Sequence, residues 1–269
     1  VVARYRATLA YDGSAYVGFQ RQAEGRRTIQ GEVERAIAQV TGQQVTVIGA
    51  GRTDTGVHAE GQVIAFDVSW RRDDETLLKA LNATLPDDIA LQDIRQHEGF
   101  HPRFDAVARI YRYTLVQAPQ RQPLMRHRAW HIFGDLDVGS VREACVLLVG
   151  VHDFAAFGHA PQGDNTVREV LRSEWETDDT HTSVLHVYHI EANAFLQHMV
   201  RRIVGVLVEV GRGRLSLDAF RKALTSGAMV NGVTLAPPHG LVLESVRYPL
   251  DEELQERRGR RPSEGFEDV

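Results

Sequence analysis

The residues best suited to chemistry lie in one stretch, Gly51-Arg52-Thr53-Asp54-Thr55-Gly56-Val57-His58-Ala59. It holds a carboxylate, Asp54, on a glycine-bounded turn, with a guanidinium two residues before it. Gly51 and Gly56 permit backbone angles closed to other residues and let a ligand approach the main chain. A carboxylate so placed can attack an electron-poor carbon, stabilise a developing cation or take a proton. Arg52 offers a charge that would hold it ionised. The plain alternative is an aspartate that caps its own turn, the usual employment of Asp-x-Gly. His58 could act as an acid or base, or bond locally. Asp54-Thr55-Gly56 also matches the aspartic protease tripeptide. That chemistry needs two carboxylates sharing a proton, and this chain has one such tripeptide in a helix-rich pattern.

Other candidates stand further along. Tyr111 and Tyr113, in Arg109-Ile110-Tyr111-Arg112-Tyr113, share one face of a strand with Arg109. Aromatic and guanidinium groups on an open sheet stack bases, although a half-buried aromatic pair is the ordinary use of this spacing. Phe195 to Gly205 reads as helix with an apolar stripe of Leu196, Met199, Val200, Ile203 and Val204, which sets Arg201 and Arg202 near its edges. One of them could reach Asp54 or a phosphate; two solvated arginines is the plain reading. The chain has 12 histidines, but no spacing matches a zinc or iron motif, so no metal is expected.

Composition narrows the field. The chain has 269 residues with 43% hydrophobic and 25% charged, values ordinary for a soluble globular protein. A single cysteine, Cys145, excludes an internal disulfide and fits a reducing cytoplasm. Arg4 and Arg6 interrupt any leader-like start, and the most apolar segment, Ile203 to Val210, is too short to span a bilayer. A cytoplasmic protein with no membrane partner is expected. Net charge is −5, which at first argues against nucleic acid. Seven acids against four arginines after residue 249 carry −3 of it, leaving −2 for the body. Within the body arginines cluster at 21, 26 and 27, at 121, 126 and 128, and at 201, 202, 212 and 214. A basic groove on a mildly acidic protein remains open.

The elements that must position these groups follow from periodicity. Strands are predicted at 4–11, 44–50, 62–70 and 89–96, with one helix after Thr28 ending at Gly42 and another after Asp73 and Asp74. That is β-α-β-β-α-β, the order of a ferredoxin-like unit. The second half repeats the order without repeating the sequence. Its strands are predicted at 109–117, 129–133, 167–176, 183–192 and 241–248, and its helices at 138–149, 195–210 and 216–226. The expected fold is α+β: two ferredoxin-like (split βαβ) lobes, 1–105 and 106–249, share a central antiparallel sheet. Helices would cover one face and leave an RNA cleft on the other. The charged tail, 250–269, lacks an apolar face and should be a marginal helix or disordered.

Taken in order, several segments resemble the TruA family of tRNA pseudouridine synthases. They are Tyr11-Asp12-Gly13 with Gly18-Phe19-Gln20-Arg21-Gln22, Thr28-Ile29-Gln30, Gly51 to Ala59, Phe104-Asp105-Ala106, Arg109 to Tyr113, His152-Asp153-Phe154, Phe195 to Arg201, and Ala236-Pro237-Pro238-His239-Gly240-Leu241. The resemblance implies conversion of uridine to pseudouridine in the anticodon arm of tRNA, by a homodimer in which one tRNA touches both subunits. By similarity, Asp54 is the nucleophile and Arg201 pairs with it. Tyr111 stacks on the base and later helps remove the proton from its carbon 5, and Arg52 contacts the RNA and holds the base out. Arg21, His58 and Phe195, which lie in the matching segments, complete the expected substrate-binding set. No cofactor is implied, and none is needed for an isomerisation that leaves composition unchanged. The rival is a non-catalytic RNA-binding protein, which needs the arginines and tyrosines but not Asp54.

Overall fold

Strand β1 (Ala3–Tyr11) alternates fully buried and half-buried positions, as a period of two requires. Thr28 keeps an extended backbone and its hydroxyl accepts from the Gly31 amide, which starts α1 (Ile29–Thr41); Gly42, left-handed, ends it. Asp73, Asp137 and Ser216 cap α2 (Asp74–Thr84), α3 (Val138–Leu147) and α5 (Leu217–Ser226) in the same way. The other elements are β2 (Ile48–Gly49), β3 (His58–Val68), β4 (Ile89–Gln96), β5 (Ala108–Gln117), β6 (Trp130–Ile132), β7 (Gly150–Asp153), β8 (Val167–Asp179), β9 (Val184–Ala192), α4 (Met199–Gly211) and β10 (Leu241–Arg247). The structure, a computed structural model, describes residues 1–22, 25–161, 163–180, 182–227 and 233–250. The tail expectation lies outside the described residues from 251 onward.

All ten strands join one mostly antiparallel sheet in the order β4-β1-β3-β10-β5-β9-β8-β7, with β2 beside β3 and β6 beside β5. In each half the first strand lies between the last and the third: β4-β1-β3-β2, then β10-β5-β9-β8. This is the arrangement that a β-α-β-β-α-β unit gives when its helices cross over. The halves meet along β3 and β10 through a short parallel pair, Val242 with His58 and Leu243 with Ala59. Two hydrophobic cores form, one in each half, and Tyr111 packs against both.

Four local expectations need correction. The strand predicted at 44–50 shrinks to Ile48–Gly49, paired with Ala65 and Ile64. The ring of Phe19 lies over Gly49, where a Cβ would come within 2.6 Å of it. Strand β3 begins at His58 rather than 62, so the Asp54 turn is tighter. Helix α4 begins at Met199 rather than 195, because His198 takes a left-handed backbone. The four-residue β7 was not expected; it is too short for a periodic signal.

A fifth correction concerns which face carries the site. Tyr113, Tyr188 and Trp175 lie opposite one another on β5, β9 and β8 and are buried in one core with residues of α3 and α4. Tyr111 shares the Tyr113 face. Asp54 meets Arg201 of α4. The Asp54–Arg201 pair and Tyr111 therefore lie on the helix-bearing face, at the seam where the two cores meet, and not on the face expected to carry the site. The opposite face of the second half is polar instead. There Arg112 pairs with Glu60 and Glu244, His189 faces Glu244 and Glu176, and Arg172 pairs with Glu174. These glutamates each lie against an arginine or histidine, so the face is ion-paired and offers no basic surface to a phosphate backbone.

Candidate functional site

The Asp54 turn is a tight four-residue reversal. The Asp54 carbonyl accepts from the Val57 amide at 3.1 Å, with Gly56 at φ 77 in the position that requires a positive angle. The loop after β1 clamps it from one side. Phe19 donates its amide to the Thr53 carbonyl at 3.0 Å, and the Tyr11 hydroxyl lies 2.7 Å from Thr53 Oγ1. The approach is close enough that only glycine fits at 18, where φ is +96 and a Cβ would stand 2.8 Å from the Thr53 oxygen. From the other side Gln62 donates to the Gly51 carbonyl at 2.9 Å, and Arg109 to the Ala50 carbonyl at 3.0 Å. The main chain on both sides of Asp54 is thus fixed.

Its side chain faces Arg201. Nη1 of Arg201 donates to Asp54 Oδ2 at 3.1 Å, and Nε of the same guanidinium donates to the Ala236 carbonyl at 2.8 Å. The Ala236 amide returns a bond to the Arg201 carbonyl at 3.2 Å. Arg201 is only 12% exposed, while the Asp54 side chain keeps 30%. His198 Nε2 stands 3.4 Å from the same Oδ2. Among the described residues, Asp54 Oδ1 accepts no hydrogen bond. Tyr111 is half-buried, its ring held edge-on by Phe195 with centroids 5.1 Å apart and planes at 86°. Burial pushes the Tyr111 phenol up to about 12; Arg109 opposes the shift and the Asp54 charge adds to it. The phenol is therefore neutral near pH 7.

Asp54, Arg201, Tyr111 and Phe195 thus come together. Arg52 is exposed on the same turn and makes no hydrogen bond or ion pair among the described residues, so its guanidinium is available. Arg21 lies elsewhere, exposed and paired with Glu34 at 3.0 Å. His58 departs from its expected place against substrate. It is 3% exposed, and its Nε2 faces the carbonyls of His127 at 2.9 Å and His239 at 3.2 Å. Those partners call for a proton on Nε2, while Nδ1 lies 3.0 Å from the Gly13 amide and 3.1 Å from Asp12 Oδ1. The ring is a cross-link under the turn. Tyr113 is likewise not a stacking residue: fully buried, it donates to the Pro237 carbonyl at 2.7 Å and holds the segment that Arg201 grips.

Periodicity missed His198. The one available signal is negative: no Ser, Thr, Asp or Asn stands before Met199 to cap α4. Among the described residues no group of His, Cys, Asp and Glu could hold a metal ion, and no helix is long and apolar enough to cross a membrane.

Known proteins resemble this chain over most of its length. A family model described as tRNA pseudouridine synthase matches residues 7–105 and 144–249. The chain is 43% identical over 248 residues to tRNA pseudouridine synthase A of Neisseria meningitidis serogroup B, covering 91% of this chain and 92% of that protein. It is 41% identical over 244 residues to tRNA pseudouridine synthase A of Roseiflexus castenholzii, covering 90% of each. It is 43% identical over 243 residues to the protein of that name from Chloroflexus aurantiacus, covering 90% of this chain and 87% of that one.

Proposed function

The chain belongs to the tRNA pseudouridine synthase family, and from that premise we propose that it isomerises uridine in the anticodon arm of tRNA with Asp54 as the nucleophile. One observation carries the assignment of the residue: Asp54 is held on Oδ2 by a largely buried arginine at 3.1 Å, while Oδ1 accepts no hydrogen bond among the described residues. The reaction breaks a C–N glycosidic bond, turns the uracil over and rejoins it through carbon. Attack at the anomeric carbon and removal of the 2′ proton to give a glycal both need one ionised oxygen facing the sugar. Arg201 favours the charged carboxylate and orients it. The target base must leave its stack, at about a few kcal/mol, and stacking on Tyr111 offsets part of that. Burial keeps the Tyr111 phenol neutral near pH 7, as a stacking platform needs, and by resemblance the same side chain helps remove the carbon 5 proton. Arg52, free at the rim, suits an RNA phosphate. The halves 1–105 and 106–249 act as lobes on either side of the seam, and two copies of the chain bind one tRNA.

The test is a tRNA transcript carrying tritium at uridine carbon 5. Wild-type protein should release the label. Asp54→Asn should bind the tRNA as tightly and release none; substantial release by that variant would sink the assignment. Mapping pseudouridine along the treated transcript checks the anticodon arm.

A further inference from the structure

The start of α4 departs from every other α-helix among the described residues. Thr28, Asp73, Asp137 and Ser216 all cap with φ between −129 and −68, each accepting a bond from a first-turn amide on its side-chain oxygen. His198 occupies the same position before α4 with φ 63 and ψ 6, and its side chain caps nothing. It is the one non-glycine residue with positive φ among the described residues. Its local surroundings impose this conformation. Gln197 is tied to His159 by an amide-to-carbonyl bond of 3.0 Å, and the Arg202 amide closes the first turn on the His198 carbonyl at 3.0 Å. A left-handed side chain is disfavoured, and strain of this kind persists where the surroundings over-determine it and collects at functional sites. The imidazole freed from capping stands 31% exposed with Nε2 3.4 Å from Asp54 Oδ2.

We propose that His198 is a positioning residue for the reaction: it aims a second donor at Asp54 Oδ2, so that Arg201 and His198 together fix the carboxylate and present Oδ1 to the nucleotide. The inference rests on Asp54 as the reacting group. Two donors converging on one oxygen stop the carboxylate from rotating about χ2, which a single arginine bond does not. A contact of 3.4 Å in the free protein is long for a hydrogen bond, and such contacts tighten when substrate fills the site. The backbone strain is the cost of bringing the ring to this place.

Two substitutions separate positioning from structure because they move stability and rate in opposite directions. His198→Gly relieves the left-handed strain and removes the donor. Its unfolding temperature should be unchanged or raised by about 2 °C. Its tritium release at saturating tRNA should fall by about tenfold or more, with KM for tRNA within about twofold. His198→Gln keeps an amide donor at the reach of Nε2 but suits the left-handed region less well. It should melt lower than His198→Gly and yet turn over faster. Rates that follow the order of the unfolding temperatures would overturn the proposal, as would a His198→Gly protein within about twofold of wild-type release. Asp54→Asn measured alongside keeps the two ideas apart. Release by that variant removes the nucleophile assignment itself, whereas its silence with an undiminished His198→Gly protein removes only the role of His198.

Discussion

Removing the guanidinium of Arg201 should cost most of the reaction while leaving RNA affinity nearly unchanged. Nη1 lies 3.1 Å from Asp54 Oδ2, a separation worth at most about 5 kcal/mol at an effective dielectric of about 20. Water reaches the 30% of the Asp54 side chain that is exposed, so part of that is screened. A hydrogen bond to a charged group nets about 1.5–3 kcal/mol. If the transition state needs the carboxylate charged and fixed, Arg201→Leu raises the barrier by about 2 kcal/mol, roughly a 30-fold loss of rate. The substitution also strands the Ala236 carbonyl, now bonded at 2.8 Å, and should lower stability by about 1–3 kcal/mol. Arg201→Lys keeps the charge, but a single ammonium does not serve both the carboxylate and the carbonyl as the planar fork does. Its rate should fall between the two. Single-turnover tritium release with enzyme in excess, beside filter binding of the same tRNA, measures both quantities. If Arg201→Leu lost stability as expected yet released label within about threefold of wild type, the carboxylate would not depend on this pair.

Three further perturbations test other parts of the site. Gly18→Ala adds a Cβ 2.8 Å from the Thr53 carbonyl at a φ of +96. It should lower stability by about 1–2 kcal/mol and slow release by shifting the Asp54 turn, as thermal melts and the same assay would show. Arg52→Ala should weaken tRNA binding and reduce the slope of log affinity against log salt by about 1, with turnover at saturation little changed; an unaltered slope would place Arg52 off the RNA. His186 is buried, accepts from the Trp175 indole at 3.2 Å on Nδ1 and faces Gln117 Oε1 at 2.8 Å through Nε2. Burial pushes its pKa down, so the fold favours the neutral ring. Its contribution is present above the unfolded value of about 6.5 and is lost as pH falls through the lower folded value. Melting temperature should therefore drop on acidification, and His186→Gln should flatten that drop.

Local rules carried much of the fold. Thr28 and Asp73 announced their helices, Gly42 announced a stop, and the alternation in Ile89 to Gln96 and Ser183 to Ala192 set strands that the structure keeps nearly to the residue. What stayed hidden depends on contacts between distant segments. Periodicity places Tyr111 and Tyr113 on one face of β5, but it does not say which face the helices cover. That is decided by α3 and α4 packing over Tyr188 and Trp175. The apolar stripe of α4 runs on through Leu196, so helix was expected to begin at Phe195. It is broken at His198, whose neighbour Gln197 is tied to the His159 carbonyl and whose own carbonyl accepts from the Arg202 amide. Asp54 and Arg201 are 147 residues apart. The apolar stripe left Arg201 and Arg202 both open as partners, and only the resemblance chose Arg201.

The placement of the site on the helix-bearing face has a physical consequence. Tyr111 packs against both cores with Phe195 edge-on to its ring, and Arg109, two residues before it, ties the neighbouring chain together through the carbonyls of Ala50, Arg103 and Asn193. The floor of the seam is therefore as rigid as the cores that meet there. Open to water, the Asp54–Arg201 pair is partly screened. A base stacked on Tyr111 would displace that water, and the attraction between the two groups rises as the local dielectric falls. On the proposed mechanism, the carboxylate would be most firmly held once a flipped uridine covered it. On the opposite face, where Glu60, Glu174, Glu176 and Glu244 gather, no aromatic platform meets a half-buried carboxylate, and a phosphate backbone would face like charge. Burial and charge together thus distinguish the two faces: one carries the rigid floor beside Asp54, and the other a set of paired glutamates.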